Sequence, residues 1–212
     1  MRFLITAGPT REPIDPVRYL SNRSSGKMGY ALASAALARG HEVLLISGPV
    51  SIPAPEGAAV IRVETAQEMY DAVAAAIARV DAAIFCAAVS DYRVAEVAEE
   101  KIKKTGETLT LTFIKNPDLL GSARSVLGFR GILVGFAAET ERLAEHAIDK
   151  MRRKDCDLLV ANDVSRSDIA FDCDENEVEL FFRDGRCESL ARAPKKEIAE
   201  AVVERVEGIF VS

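Results

Sequence analysis

Short apolar runs alternate with helical patterns along most of this chain, and that alternation limits the fold more than any other feature. Phe3 to Ala7, Val43 to Ile46, Val60 to Val63, Ala82 to Ala88, Gly131 to Ala138 and Asp157 to Ala161 read as buried strands. Most stop at turn-forming or polar residues: Gly8-Pro9, Ser47-Gly48-Pro49, Ser90-Asp91, Glu139 and Asn162-Asp163. Between them the spacing predicts helices. One runs from about Gly26 to Arg39, with alanines that allow close packing and Gly40 as its stop. Another opens at the capping box Thr65-x-x-Glu68 and turns Met69, Val73, Ala76 or Ile77, and Val80 to one face. A short helix starts at Asn116-Pro117-Asp118, with Pro near its first position. A helix capped by Thr140 points Leu143, Ala147 and Met151 inward, and Pro194 opens a last helix to about Ile209. The implied fold is α/β, a Rossmann-like doubly wound parallel sheet. Its strand ends gather at one edge, where such sheets bind ligands.

Two stretches break the pattern. Thr108 to Phe113 alternates Thr with Leu or Phe, as a half-buried strand does. Val178 to Phe182 leads into Asp184-Gly185, a hairpin arm and turn. They are expected to form a small β extension, about 108–114 and 177–187, and to offer a dimer contact. Residues 92–107, with Glu99-Glu100-Lys101-Ile102-Lys103-Lys104, read as a mobile, exposed flap. Residues 164–176 read as loop. The expectation is a single domain over residues 1–212.

The net charge of −6 argues against a general nucleic-acid surface. The first thirty residues run the other way, with Arg2, Arg11, Arg18, Arg23 and Lys27 against only Glu12 and Asp15. Beside a Gly-containing turn and a helix start, that charge suits a small anion, or is ordinary surface charge. No apolar run is long enough for a membrane span, no leader pattern precedes the first strand, and Cys86, Cys156, Cys173 and Cys187 lack metal-ligand spacing. A reduced, cytoplasmic protein is expected. The acidic run Asp172-Cys-Asp-Glu-Asn-Glu177 lacks the Gly and distal Glu of an EF-hand and reads as a solvated turn. GxxxxGK[ST] and GxGxxG are both absent, as is a Tyr-x-x-x-Lys pair, which disfavours hydride transfer despite the layout.

One long stretch is far more specific. Ile5-Thr-Ala-Gly-Pro-Thr-Arg-Glu-Pro-Ile-Asp-Pro-Val-Arg-Tyr-Leu-Ser-Asn-Arg-Ser-Ser-Gly-Lys-Met-Gly29 resembles the opening of bacterial phosphopantothenate–cysteine ligases. The likeness continues through Cys86-Ala-Ala-Val-Ser-Asp-Tyr-Arg93, Glu100-Lys-Ile-Lys-Lys104, Lys115-Asn-Pro-Asp118, Gly135-Phe-Ala-Ala-Glu-Thr140 and Ala161-Asn-Asp-Val-Ser165. It implies condensation of 4′-phosphopantothenate with L-cysteine in coenzyme A synthesis, driven by CTP with Mg²⁺. The acid's carboxylate attacks the CTP α-phosphate, giving an acyl-cytidylate and pyrophosphate, and the cysteine amine then displaces CMP. Such chemistry needs fixed donors and cations more than a nucleophilic side chain.

Residue by residue, the resemblance implies a role for Asn22 at the intermediate, where position alone would read a turn or cap asparagine. Ser24, Ser25, Gly26 and Lys27 would hold a phosphate of the substrate or intermediate. Lys101 would be a catalytic cation on the flap, where composition alone reads a solvated charge run. Cytidine and triphosphate would meet Phe85, Cys86, Ala87, Asp91, Asn116, Pro117, Asp118, Leu119, Phe136, Lys150 and Lys154. Asp118 also reads as a first-turn acid and Phe136 as a core aromatic. In a simple βαβ unit Lys150 and Lys154 sit at the helix end that points away from the ligand edge, where they would be surface lysines. Many relatives carry an N-terminal flavin-dependent decarboxylase. No FMN site is expected in this chain, and a homodimer is. The competing readings are a Rossmann-type oxidoreductase and a non-catalytic nucleotide-binding module.

Overall fold

The structure, a computed structural model, describes residues 1–104, 106–139, 142–163 and 173–211. The chain opens with β1 (Arg2–Ala7), whose residues from Phe3 onward are buried. β2 (Arg11–Asp15) and β3 (Arg18–Ser21) pair antiparallel as a separate ribbon, and α1 (Lys27–Ala38) follows. Then come β4 (Glu42–Ser47), β5 (Ala59–Arg62), α2 (Ala66–Ala76) with a 3-10 turn Ile77–Arg79, and β6 (Ala82–Phe85). β7 (Tyr92–Val94) and β8 (Phe113–Lys115) make a second small ribbon before α3 (Leu119–Ser125). The rest is β9 (Ile132–Glu139), α4 (Leu143–Lys154), β10 (Leu158–Asp163), β11 (Glu175–Phe182), β12 (Cys187–Pro194) and α5 (Lys195–Val211).

The main sheet runs β12-β11-β10-β9-β6-β1-β4-β5. From β5 to β10 every pairing is parallel; β11 and β12 are antiparallel. This is the α/β doubly wound sheet that the alternation implies. From β1 the chain proceeds outward through β4 and β5, then returns to the other side of β1 and proceeds through β6, β9 and β10. The order therefore reverses between β1 and β6, which places a crevice at their carboxyl ends. One core packs α1 and α5 on one face of the sheet, around Phe3, Ile5, Leu45, Ile84 and Val202. The other packs α2, α3 and α4 on the opposite face, around Leu4, Ile46, Met69, Leu133 and Leu159. Each large side chain so buried contributes roughly 1.5–3 kcal/mol.

Local chemistry explains most boundaries. The capping box at Thr65 is made: the Glu68 N–H donates to Thr65 Oγ1 at 3.1 Å, and the Glu68 carboxylate accepts from the Thr65 N–H at 3.4 Å. A long-range carboxylate adds to it. Glu12, 1% exposed, accepts from the Ala66 N–H at 3.0 Å and so fastens the β2–β3 ribbon to the start of α2. At α1 the close contact is backbone on backbone. A Cβ at Gly29 would lie 2.5 Å from the Ala7 Cβ and 3.0 Å from its Cα, so only glycine lets the first turn of α1 rest on the end of β1.

Several expectations need correction. Residues 108–114 and 177–187 do not form one extension. The second segment widens the main sheet as β11 and β12, because β10 offers β11 an open backbone edge. The first contributes only β8, which pairs with β7 and is exposed. Regular strand therefore occupies 113–115 rather than Thr108 to Phe113, and 92–94 belong to a ribbon instead of a flap. Pro194 ends β12, and α5 starts one residue later. Ala82 to Ala88 is regular only to Phe85, with a further bridge between Pro9 and Ala88. Thr140 and residues 164–172 lie outside the described residues. Among those described, no helix is long and apolar enough to cross a membrane.

Two predictions follow from packing and charge. Gly29→Ala forces α1 off β1 and should cost about 1–3 kcal/mol, read from urea unfolding; unchanged stability would refute the contact. α5 is tied to the end of α1 by Glu207, which receives Arg39 at 2.5 and 2.9 Å and His41 Nε2 at 2.6 Å. The Arg39 guanidinium above all, helped by His41 and opposed by partial burial, holds the Glu207 carboxyl down at about 2, from an ordinary 4.5. A depressed acid stabilises the fold above its unfolded pKa, and that stability fades as pH falls from 4.5 through about 2. Glu207→Gln should flatten the stability–pH curve across that window. Curves that stay parallel to wild type would contradict this.

Candidate active site

The crevice at the switch point is built from backbone first. After β6 the chain continues as a segment, 86–90, stitched to β1 and its following loop. The Cys86 N–H donates to the Thr6 carbonyl at 3.3 Å and the Ala87 N–H to Thr6 Oγ1 at 3.2 Å. The Ser90 N–H donates to Thr10 Oγ1 at 3.0 Å, and the Ala88 N–H to the Gly8 carbonyl at 2.9 Å. Thr6 and Thr10 are both buried. Asn22 joins the same segment, its amide donating to the Ala88 carbonyl at 2.9 Å.

Two cavities open on either side of this stitched segment. The first, about 520 Å³, is lined by Phe85, Ala87, Asp91, Asn116, Pro117, Asp118, Leu119, Phe136, Lys150 and Lys154 among others. The second, about 290 Å³, is lined by Asn22, Ser24, Ser25, Gly26, Lys27, Cys86, Ala87, Phe136 and Lys150 among others. Ala87, Val89, Phe136 and Lys150 belong to both, so the two cavities adjoin along these residues.

In the first cavity the side chains are held in place by one another. Asp118 is the N-cap of α3, accepting from the Gly121 N–H at 2.9 Å, and it also pairs with the Lys154 ammonium. Burial would raise its carboxyl, but the hydrogen bonds from Lys154 and the Gly121 N–H outweigh burial and hold it below the usual carboxylate range. The Lys150 ammonium donates to the Phe136 carbonyl at 3.0 Å. Thus Lys150 and Lys154 do not point away from the ligand edge. The short α3 packs beside α4, so the first turn of one meets the last turn of the other, and both lysines reach into the cavity. Asn116 is engaged in the scaffold: its amide donates to the Ser90 carbonyl at 2.8 Å and accepts from Arg93 at 3.0 Å.

The second cavity sits over the start of α1. Gly26 is the N-cap, at φ +78°; it makes no side-chain cap bond, and its N–H donates to Ser24 Oγ at 3.3 Å. Ser24 to Gly29, the turn before α1 and its first residues, line the cavity, and a helix start of this kind suits an anion. Cys86 lines it too, but burial pushes its thiol up to about 12, so it is not a thiolate nucleophile at neutral pH.

Lys101 is not brought to either cavity. It borders a separate surface groove with Arg18, Lys103 and Lys104. The cause lies one residue on. The Ile102 N–H donates to the buried Asp15 carboxylate at 3.1 Å, and Arg18 donates to the Ile102 carbonyl at 2.7 Å. Sequence reasoning missed Arg153, Asn176 and Lys195 as lining residues, and touched Thr6, Lys115 and Asn162 only as parts of matching blocks. Nothing local marks these residues; they converge only when distant strand ends and helix starts meet.

The profile of the DNA/pantothenate metabolism flavoprotein C-terminal domain matches residues 1–209. The coenzyme A biosynthesis bifunctional protein CoaBC of Escherichia coli K12 is 50% identical over 188 residues, covering 87% of this chain and 46% of that protein. Its Bacillus subtilis counterpart is 42% identical over 210 residues, covering 97% of this chain and 51% of that protein. The chain thus spans about half the length of the curated relatives it matches. The crystal structure of a CoaBC C-terminal domain superimposes with a TM-score of 0.84 at 38% identity, covering 98% of this chain and 94% of that one.

The cap and the ion pair at Asp118 can be separated. Asp118→Ala loses both and should cost about 0.5–2 kcal/mol, whereas Asp118→Asn keeps a good cap and should cost far less. Equal losses in denaturant titrations would mean that the cap is not what Asp118 supplies to the fold.

Proposed function

The chain belongs to the family of the DNA/pantothenate metabolism flavoprotein C-terminal domain, and on that premise we propose that it is a CTP-dependent phosphopantothenate–cysteine ligase. The observation that carries this reading is the cleft made of two cavities that meet at Ala87, Val89, Phe136 and Lys150. An acyl-nucleotide reaction needs such a layout: a nucleotide on one side, an acid on the other, and the α-phosphate and carboxylate together at the junction.

The cytidine and triphosphate occupy the first cavity. Lys150, Arg153 and Lys154 supply positive charge to the triphosphate, and Asp91, Asn116, Pro117, Asp118 and Leu119 border the nucleotide. Mg²⁺ neutralises triphosphate charge when bound. It usually takes its ligands from phosphates, water and one or two carboxylates, and among the described residues Asp91 and Asp118 are the carboxylates bordering this cavity. The acid occupies the second cavity, with its phosphate at Ser24, Ser25, Gly26 and Lys27 and its carboxylate at the junction. A carboxylate oxygen bonds to the α-phosphorus and the bond to the β-phosphate oxygen breaks, releasing pyrophosphate. The cysteine nitrogen then bonds to the acyl carbon, CMP leaves with its bridging oxygen, and a proton leaves the nitrogen. The Asn22 amide faces the acyl group, with one N–H on the Ala88 carbonyl and the other available to the intermediate. Lys101 acts only after Ile102 leaves its contact with Asp15 and Arg18 and the lysine turns to the cleft.

A homodimer belongs to the same reading. Val17, Tyr19 and Leu20 on the β2–β3 ribbon are exposed, as are Tyr92, Phe113 and Ile114 on the β7–β8 ribbon, and the two ribbons touch. Exposed apolar patches of this kind favour a protein partner.

The deciding experiment measures pyrophosphate release with CTP, 4′-phosphopantothenate and L-cysteine. Release that requires both CTP and the acid is expected; none at saturating substrate would sink the proposal. Lys101→Gln should slow acyl-cytidylate formation by on the order of 100-fold, with the fold intact, and an unchanged first step would remove Lys101 from the mechanism. Asn22→Asp should impair turnover, since a carboxylate repels the intermediate's phosphate; a normal rate would contradict that.

A further inference from the structure

Lys195 is an unusual lysine: it is 8% exposed, and it borders the second cavity. Burying an ammonium costs several kcal/mol unless partners compensate. Such a residue is therefore held where its charge is used or satisfied. It opens α5, as Lys27 opens α1, and these two helices pack side by side. Two helix starts and their first lysines are thus presented to one space. The Lys195 ammonium donates to the Cys173 carbonyl, and Lys27 pairs with Asp174 at 2.7 Å, so both cations are tied to consecutive residues. Burial first, and then the neighbouring Lys27 charge, lower the Lys195 pKa, as expected of two cations held near one another.

The lining of the cavity adds a second observation. Its described charged residues are Lys27, Lys150 and Lys195, with no carboxylate among them, in a chain of net charge −6. Lys150 also borders the nucleotide cavity; Lys27 and Lys195 do not. If the acid's carboxylate meets the α-phosphate at the junction, the other end of the acid lies at Lys27 and Lys195. That end is a phosphate ester, with up to two negative charges and three acceptor oxygens.

Resting on the ligase reading, we propose that Lys195 binds the phosphoryl group of the acid substrate together with Lys27. The Asp174 carboxylate and the Cys173 carbonyl hold the two ammonium groups near the positions in which the phosphate receives them. The Ser24 and Ser25 hydroxyls supply the neutral donors.

The test compares the full chain with Lys195→Met, using pyrophosphate release with 4′-phosphopantothenate and with unphosphorylated pantothenate. Losing a charged hydrogen bond should raise the KM for 4′-phosphopantothenate about 10- to 100-fold. The KM for CTP and the kcat/KM for pantothenate should hold, and Lys195→Arg should restore part of the loss. An unchanged KM for 4′-phosphopantothenate would overturn the proposal. So would an equal proportional loss with both acids, or a rise confined to the KM for cysteine. A melting scan reports folding, and Lys195→Gln takes the place of the Met variant if that one unfolds. If the wild type releases no pyrophosphate at all, the ligase reading fails on its own. Calorimetric binding of 4′-phosphopantothenate then decides Lys195, with weaker binding by the variant supporting its role and equal binding refuting it.

Discussion

The carboxyl end of β1 is held from two sides, and the parts of the chain that hold it line both cavities. Thr6 accepts two N–H groups from the segment after β6, one on its carbonyl and one on its hydroxyl. On the opposite side, Gly29 lets α1 come down onto Ala7 at a distance that no Cβ would allow. Two other parts of the chain, the segment after β6 and the start of α1, are thereby fixed within hydrogen-bond or contact range of one strand end. A buried backbone N–H that loses its acceptor costs about 1–3 kcal/mol, so this junction tolerates little movement. That rigidity suits the proposed reaction, in which the cleft would hold charge in place and supply no nucleophile.

The charges in and around the cleft are arranged on the same principle. Lysines line it, although the chain as a whole is acidic. Four of them are held by a partner: Lys154 by Asp118, Lys27 by Asp174, Lys150 by the Phe136 carbonyl and Lys195 by the Cys173 carbonyl. Asp15 does comparable work outside the cleft, where hydrogen bonds from Arg18 and from the Val17 and Ile102 N–H groups outweigh burial and hold its carboxyl down at about 2. This arrangement keeps Ile102, and with it the neighbouring Lys101, on the β2–β3 ribbon. The Asp118 carboxylate caps α3, as its first-turn position suggests, and also pairs with Lys154, which the sequence does not show.

Much of the architecture was legible in the sequence because its causes are local. The apolar runs of β1, β4, β6, β9 and β10, the Thr65–Glu68 box and the stop at Gly40 all act over a few residues. The cleft was legible in part. Asn22, Ser24 to Lys27, Phe85 to Ala87, Asp91, Asn116 to Leu119 and Phe136 were named from matching blocks, and the structure gathers them along one crevice. Thr108 to Phe113 misled because alternation of Thr with Leu and Phe describes any half-buried strand and does not name a partner. Pairing was available only at Phe113–Lys115, opposite Tyr92–Val94.

The alternation of strand and helix, read without coordinates, determined an α/β sheet with a ligand edge, and the opening stretch determined which edge mattered. Both are properties of neighbouring residues, whose periodicity and turn chemistry survive in a linear string. The tertiary structure alone decided that 177–187 widens the main sheet, that Lys150 and Lys154 reach the cleft, that Lys101 rests away from it, and that Lys195 enters beside Lys27. Each of these depends on a contact between elements distant in sequence. Such a contact is set by how helices pack on a twisted sheet, and the order of residues along one element does not encode it.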